Sequence, residues 1–256
     1  MFVDAHIHLS DEKYRENIRE VIYDATQQRV SLLLAVSEDA PSSLRTMEIG
    51  EKFSSVVLPL VGLHPSFAST GDADLDKVRE IISKSRQRVA GMGEIGLDQR
   101  YARGSSGAWQ KQLSAFQTQL EMAEAAELPV NLHSRDTAGS IIAMLDSYQI
   151  KGAVFHWFAG DEKTMGKALD RGFYISFTPS ITYSKRVRTL AKACVPELVL
   201  TETDGPVPFW GEFRGVTTKP PLVKRVVEEL GDLMGLTAGD MARQVEQNAK
   251  RLFLGK

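Results

Sequence analysis

The chain has 256 residues, with 31 lysines and arginines against 33 acids and a formal net charge of −2. Hydrophobic residues make up 43% and charged residues 25%, which excludes a disordered or collagen-like polymer. The near-neutral total argues against a broad cationic face that coats DNA.

No apolar run approaches the roughly 20 residues that span a bilayer, so no membrane association is expected. The start, Met1-Phe2-Val3-Asp4, lacks a basic leader. One cysteine, Cys194, excludes an internal disulfide and suits a reducing, cytoplasmic setting.

In chain order, short apolar runs occur at Phe2–Leu9, Leu32–Val36, Val56–Leu63, Val89–Met92, Val130–Leu132, Ala153–Trp157, Phe173–Phe177 and Leu198–Leu200. They read as buried parallel strands. Charged amphipathic segments long enough for helices lie between them. Gln110–Glu127 is the clearest: Leu113, Phe116, Leu120 and Ala123 recur at helical spacing, and Pro129 stops it. Pro221–Leu254 holds two helical segments joined near Gly235. Eight strand–helix repeats with no linker predict one α/β domain over residues 1–256, a (β/α)8 TIM barrel. An open doubly wound sheet is the alternative. Its phosphate fingerprint is absent after the first strand, although Gly91-x-Gly93-x-x-Gly96 has the spacing.

The period of two along the first strand puts Asp4, His6 and His8 on one face and Val3, Ala5, Ile7 and Leu9 on the other. In a barrel the polar face points inward and its C-terminal end is where active sites lie. Two histidines at i and i+2 sit roughly 6–7 Å apart along a strand and can converge on one ion. Two buried, hydrogen-bonded imidazoles are the alternative, at a desolvation cost. Glu94, His133, His156 and Asp204 fall at the same end of the fourth, fifth, sixth and eighth runs. A lone histidine or strand-end acid is usually structural, but six such positions on five strands coincide. Four histidines, a glutamate and an aspartate exceed one tetrahedral zinc and suit two ions roughly 3.5–4 Å apart with a bridging carboxylate. The donor mixture accepts Zn, Mn, Ni, Fe or Co, and Mg with weaker preference. Cys194 reads as a small apolar residue on a helix face.

The motif series Asp4-Ala5-His6-Ile7-His8, Gly62-Leu63-His64-Pro65, Gly93-Glu94-Ile95-Gly96-Leu97-Asp98, His133-Ser134-Arg135, His156-Trp157-Phe158-Ala159-Gly160 and Glu202-Thr203-Asp204-Gly205-Pro206 resembles that of the TatD-related deoxyribonucleases, metal-dependent hydrolases of the amidohydrolase superfamily. The resemblance runs in order to Asn248-x-x-x-Leu252-Phe253. It implies one or two divalent ions: His6, His8 and Asp204 would hold one, His133 and His156 the other, with Glu94 bridging. It places His64 and Arg135 near the scissile phosphate and Glu202 behind the metal ligands. It implies hydrolysis of DNA, single-stranded or at 3′ ends, by activated water with Asp204 as base, and a 3′-to-5′ exonuclease. The chain departs from the pattern at Ser66, at Gln99 where the family has tyrosine, and across Pro208–Lys219. All three lie where substrate would be recognised.

Basic residues cluster in the expected loops and helix starts, at Arg100, Arg103, Lys185, Arg186, Arg188, Arg214 and Lys219, interleaved with Tyr101, Trp109, Tyr183, Phe209 and Trp210. Such mixtures suit single-stranded nucleic acid, and equally an ordinary mixed surface. Two other functions are compatible with parts of this pattern. A small-molecule amidohydrolase or lactonase would use the same ions on a carbonyl, though many carry a bridging lysine where Glu94 stands. A subunit acting only as an oligomer or within a larger complex would not require six converging ligands.

Overall fold

The computed structural model describes residues 1–68, 72–103 and 106–255. Eight parallel strands follow one another around a nearly closed barrel in sequence order: β1 (Phe2–Ile7), β2 (Val30–Ala35), β3 (Val57–Val61), β4 (Gly91–Gly96), β5 (Val130–His133), β6 (Ala153–Phe155), β7 (Tyr174–Phe177) and β8 (Val199–Thr201). Helices alternate with them, which makes a TIM barrel. Each expected strand is present, and the open-sheet alternative falls away.

Strand ends differ from the sequence expectation. β4 begins at Gly91 and runs through Glu94 to Gly96, so Glu94 points from inside the strand. His8, His156 and Asp204 lie just beyond their strands. Their backbones turn off the ladder to aim inward: Trp157, after His156, has φ +36°, and Asp204 has φ +50°. Such left-handed conformations cost of order 1–3 kcal/mol and persist where neighbours over-determine them. Here Asp204 N donates to His6 O at 2.9 Å and Val207 N donates to Asp204 O at 3.0 Å.

The seam between β8 and β1 closes through side chains as well as backbone. Thr201 Oγ1 donates to Val3 O at 2.8 Å, and His8 N donates to Gly205 O at 2.8 Å. Asp4 receives Thr203 N at 2.9 Å and Thr203 Oγ1 at 2.5 Å, all fully buried. The other face of β1, Val3, Ala5, Ile7 and Leu9, is wholly buried apolar packing.

The glycines of β4 serve close strand approach. Gly96 has φ +148°, and a Cβ there would sit 2.0 Å from His133 O; at Gly93 one would sit 2.7 Å from Asn131 Cβ. They bring β4 against β5 and carry no phosphate loop.

The long helix spans Ala108–Ala125, two residues upstream of its expected position. It ends because Glu127 takes φ +50° ahead of Leu128-Pro129. The last two helices, Val223–Met234 and Ala238–Leu254, join at Gly235 in the left-handed conformation (φ +70°). Asn248 Nδ2 donates to Pro196 O and Val199 O, both at 2.8 Å, tying the final helix to the start of β8. Among the described residues no helix is long and apolar enough to cross a membrane.

Candidate metal centre

Every histidine of the chain reaches one point, the Glu94 carboxylate. Glu94 Oε1 lies 2.6 Å from His133 Nδ1, 2.6 Å from His156 Nε2 and 3.7 Å from His64 Nε2. Glu94 Oε2 lies 3.5 Å from His6 Nε2 and 3.6 Å from His8 Nε2. On that second side Asp204 Oδ1 is 3.5 Å from His6 Nε2 and 3.3 Å from His8 Nε2. The group is buried at the floor of a cavity of about 370 Å³, whose wall includes Glu38, Arg100, Tyr101, Arg135 and Trp157.

The outer partners decide which ring nitrogens are free. Asn131 Nδ2 donates to Ala5 O at 2.9 Å, so its Oδ1, 2.8 Å from His6 Nδ1, accepts the His6 proton and leaves Nε2 as a lone pair. Asp98 Oδ2 lies 2.7 Å from His133 Nε2 and frees His133 Nδ1 in the same way. Glu202 Oε1 takes Trp157 N at 2.8 Å and lies 3.3 Å from His156 Nδ1. Ser66 N donates to His64 Nδ1 at 3.2 Å, so the His64 proton belongs on Nε2.

Sequence reading missed Asp98 and Asn131 as functional. A signal existed for both. Asn131 is two residues before His133 and shares its strand face, and Asp98 closes the Glu94 motif. Ser66, a departure from the family pattern, anchors His64, with its Oγ 2.6 Å from Nδ1. Tyr101 stands two residues beyond Gln99 and meets the His64 ring edge-on at 5.7 Å.

Charge follows this geometry. Burial opposes the charge on Glu94, but His156, His64 and His6 hold its carboxyl well below the usual range. Burial likewise opposes Asp204, and the His8 bond with the charges of His6 and His156 brings it down. Burial would lower His8, yet Asp204 and Glu94 raise it to about 9; Glu94 and Glu202 likewise raise His156 well above its ordinary value. His64 goes the other way, to about 3, because burial is not offset. Without ions, the centre is therefore ionised Glu94 and Asp204 facing protonated His8 and His156, with His64 neutral.

The donor set fits divalent ions. The donor atoms of His6, His8 and Asp204 lie within 4.8 Å of one another, as do those of His64, Glu94 and His133 and those of His6, His156 and Glu202. His8 Nδ1, His156 Nδ1 and Glu202 Oε2 are buried without a hydrogen-bond partner among the described residues. Across these groups five imidazoles meet three carboxylates, a pattern suited to borderline metals.

The basic and aromatic cluster separates. Arg100 and Tyr101 reach the cavity. Arg135, partly exposed, lies 3.7 Å from Asp98. Arg186 donates to Gly160 O at 2.8 Å, while Arg188 is committed to Glu229 and Lys219 lies 3.9 Å from Asp24. Trp109 packs on the core. Arg103 and Lys185 are exposed.

Fold and centre together define a barrel of the metal-dependent hydrolase class. Residues 3–254 match the family described as TatD related DNase, and the chain belongs to that family. It is 29% identical over 258 residues to the uncharacterized metal-dependent hydrolase YabD of Bacillus subtilis, covering 99% of each chain. It is 28% identical over 260 residues to human deoxyribonuclease TATDN3, covering 98% of this chain and 94% of the relative. The crystal structure of YJJV, a TatD homologue of Escherichia coli, shares the fold: TM-score 0.90, 24% identity, 99% of this chain and 98% of that one.

Proposed function

We propose that the chain is one catalytic domain that hydrolyses phosphodiester bonds of DNA, single-stranded or at 3′ ends, removing nucleotides in the 3′-to-5′ direction. The observation that carries this reading is the two-sided Glu94: one oxygen faces His133, His156 and His64, the other faces His6, His8 and the adjoining Asp204. His6, His8 and Asp204 would hold one ion, and His133 and His156 a second shared through Glu94. Zn, Mn, Ni, Fe, Co or Mg bound there would supply Lewis-acid charge and bring the pKa of a water towards roughly 7.

The chain's own residues supply the rest. Asp204 is ionised and beside the cavity, placed to take the proton of the attacking water as its oxygen bonds to phosphorus and the ester P–O bond breaks. His64 stays neutral, and its Nε2 proton can be donated to a phosphate oxygen. Arg135 presents its guanidinium on the cavity wall as a second anchor for that phosphate. Glu202 holds the chain at Trp157 and orients His156 from behind.

A reducing, cytoplasmic setting suits Cys194, which is buried and whose thiol burial pushes up to about 12. The test is release of nucleotides from end-labelled single-stranded DNA with each ion added in turn, alongside a lactone and a dihydroorotate-like substrate. Release of label from the 3′ end, lost in Asp204→Ala, supports the reading. Turnover of a carbonyl substrate without DNA cleavage under any ion overturns it in favour of a small-molecule hydrolase.

A further inference from the structure

The rim of the cavity carries a built aromatic surface that none of these roles uses. Val207 and Trp157 line the cavity, and the buried Phe209 ring lies 5.2 Å from that of Trp157. The next residue, Trp210, turns outward and is 65% exposed, more than any other large hydrophobic side chain among the described residues. The exposed indole offers a large, rigid apolar face with a polar N–H near the cavity.

The loop that presents it is held on several sides. Phe213 is buried, Thr218 Oγ1 donates to Val207 O at 2.5 Å, and Glu212 pairs with Arg225 at 3.4 Å. Trp210 N donates to Tyr183 Oη at 3.4 Å. Gly211, at φ +64°, lets the chain pass so close to Tyr183 that a Cβ would stand 3.0 Å from its ring. The Arg214 guanidinium lies over the Trp210 ring, 5.8 Å from its centroid, and among the described residues no ion pair engages it. An anchored indole face with a free cation beside it matches the two parts of a nucleotide: the base stacks, and its phosphate meets the guanidinium. Trp210 is three residues from Val207, hence no more than about 11 Å along the chain from the cavity wall.

We propose that Trp210, with Arg214 beside it and Tyr183 behind it, is a stacking subsite for an unpaired base of the strand being cut; this rests on the reading of the centre as a DNA phosphodiesterase. Bases of a duplex are paired and stacked on each other, so the subsite selects single strands. It would also make this loop, which departs from the family pattern, a determinant of substrate choice.

The test uses the full chain loaded with its activating ion and a set of single strands, each with one base removed at a different position near the cleaved end. In the wild type, an abasic residue at one position raises KM about tenfold, the scale of one lost base–aromatic stack. That ratio falls to about one in Trp210→Ala and is largely kept in Trp210→Phe, which a merely structural role would not produce. Cleavage of DNA with the same abasic ratio in wild type and Trp210→Ala overturns the subsite and leaves the nuclease reading standing. A wild type that neither binds nor cleaves single-stranded DNA overturns both.

Discussion

The two sides of Glu94 carry similar donors on different supports. On the β1/β8 side, His6 and Asp204 are backed by groups sealed from solvent: Asn131 behind His6, and the Asp4–Thr203 pair across the barrel seam. On the β4–β6 side, His133 rests on Asp98, which is also 3.7 Å from the partly exposed Arg135, and His64 rests on Ser66. The first side is anchored in the barrel's hydrogen-bonded wall. The second is held by residues beyond the strand ends: Asp98, itself fully buried, and Ser66. Similar ligand chemistry can therefore be tuned separately, because what orients an imidazole is the partner of its other nitrogen.

The largest expected effect erases the comparison. Glu94→Ala removes the carboxylate both sides share, and the rate on DNA should fall by about a thousandfold, the upper scale of losing one oriented electrostatic group. Bound metal should fall on both sides, as elemental analysis would show. Next, Asp98→Asn should weaken metal on the β4–β6 side alone by about 10–100-fold. Titration would show one of two uptake steps displaced, and equal displacement of both would contradict the separation. Asn131→Leu is the reciprocal probe and should displace the other step.

A smaller effect concerns the seam. Thr203→Val removes the hydroxyl donor to buried Asp4 and should cost about 1–3 kcal/mol, read by urea unfolding of the metal-free protein. Asp4 adds a pH signature. Burial pushes its carboxyl up to about 8, against the bonds from Thr203, whereas an unfolded aspartate releases its proton near about 4. The folded chain then holds a proton that the unfolded chain has lost, so this contribution is full at low pH and is lost as pH rises from about 4 to about 8. Asp4→Asn should flatten that decline.

The smallest expected effect concerns protons exchanged for ions. His8, held near 9, and His156 carry protons before metal enters. Metal uptake at pH 7 should release protons and weaken as pH falls. Calorimetry in buffers of different ionisation enthalpy would measure this, and a buffer-independent heat would contradict it.

Local pattern by itself determined the eight strands and the inward face of β1. Alternation and short apolar runs bounded by helical segments are properties of neighbouring residues. The same holds for His6, His8, Glu94, His133, His156 and Asp204, because a barrel gathers the C-terminal ends of all its strands at one mouth. What only the tertiary structure decided are the partnerships across the barrel. Asn131 serves His6 from 125 residues away and Asp4 meets Thr203 across 199. His64 comes within 3.7 Å of Glu94, and Arg188 and Lys219 leave the basic cluster for ion pairs elsewhere. Those choices depend on which side chains closure of the ring brings within hydrogen-bond reach. That is a matter of distance in space, which spacing along one strand does not carry.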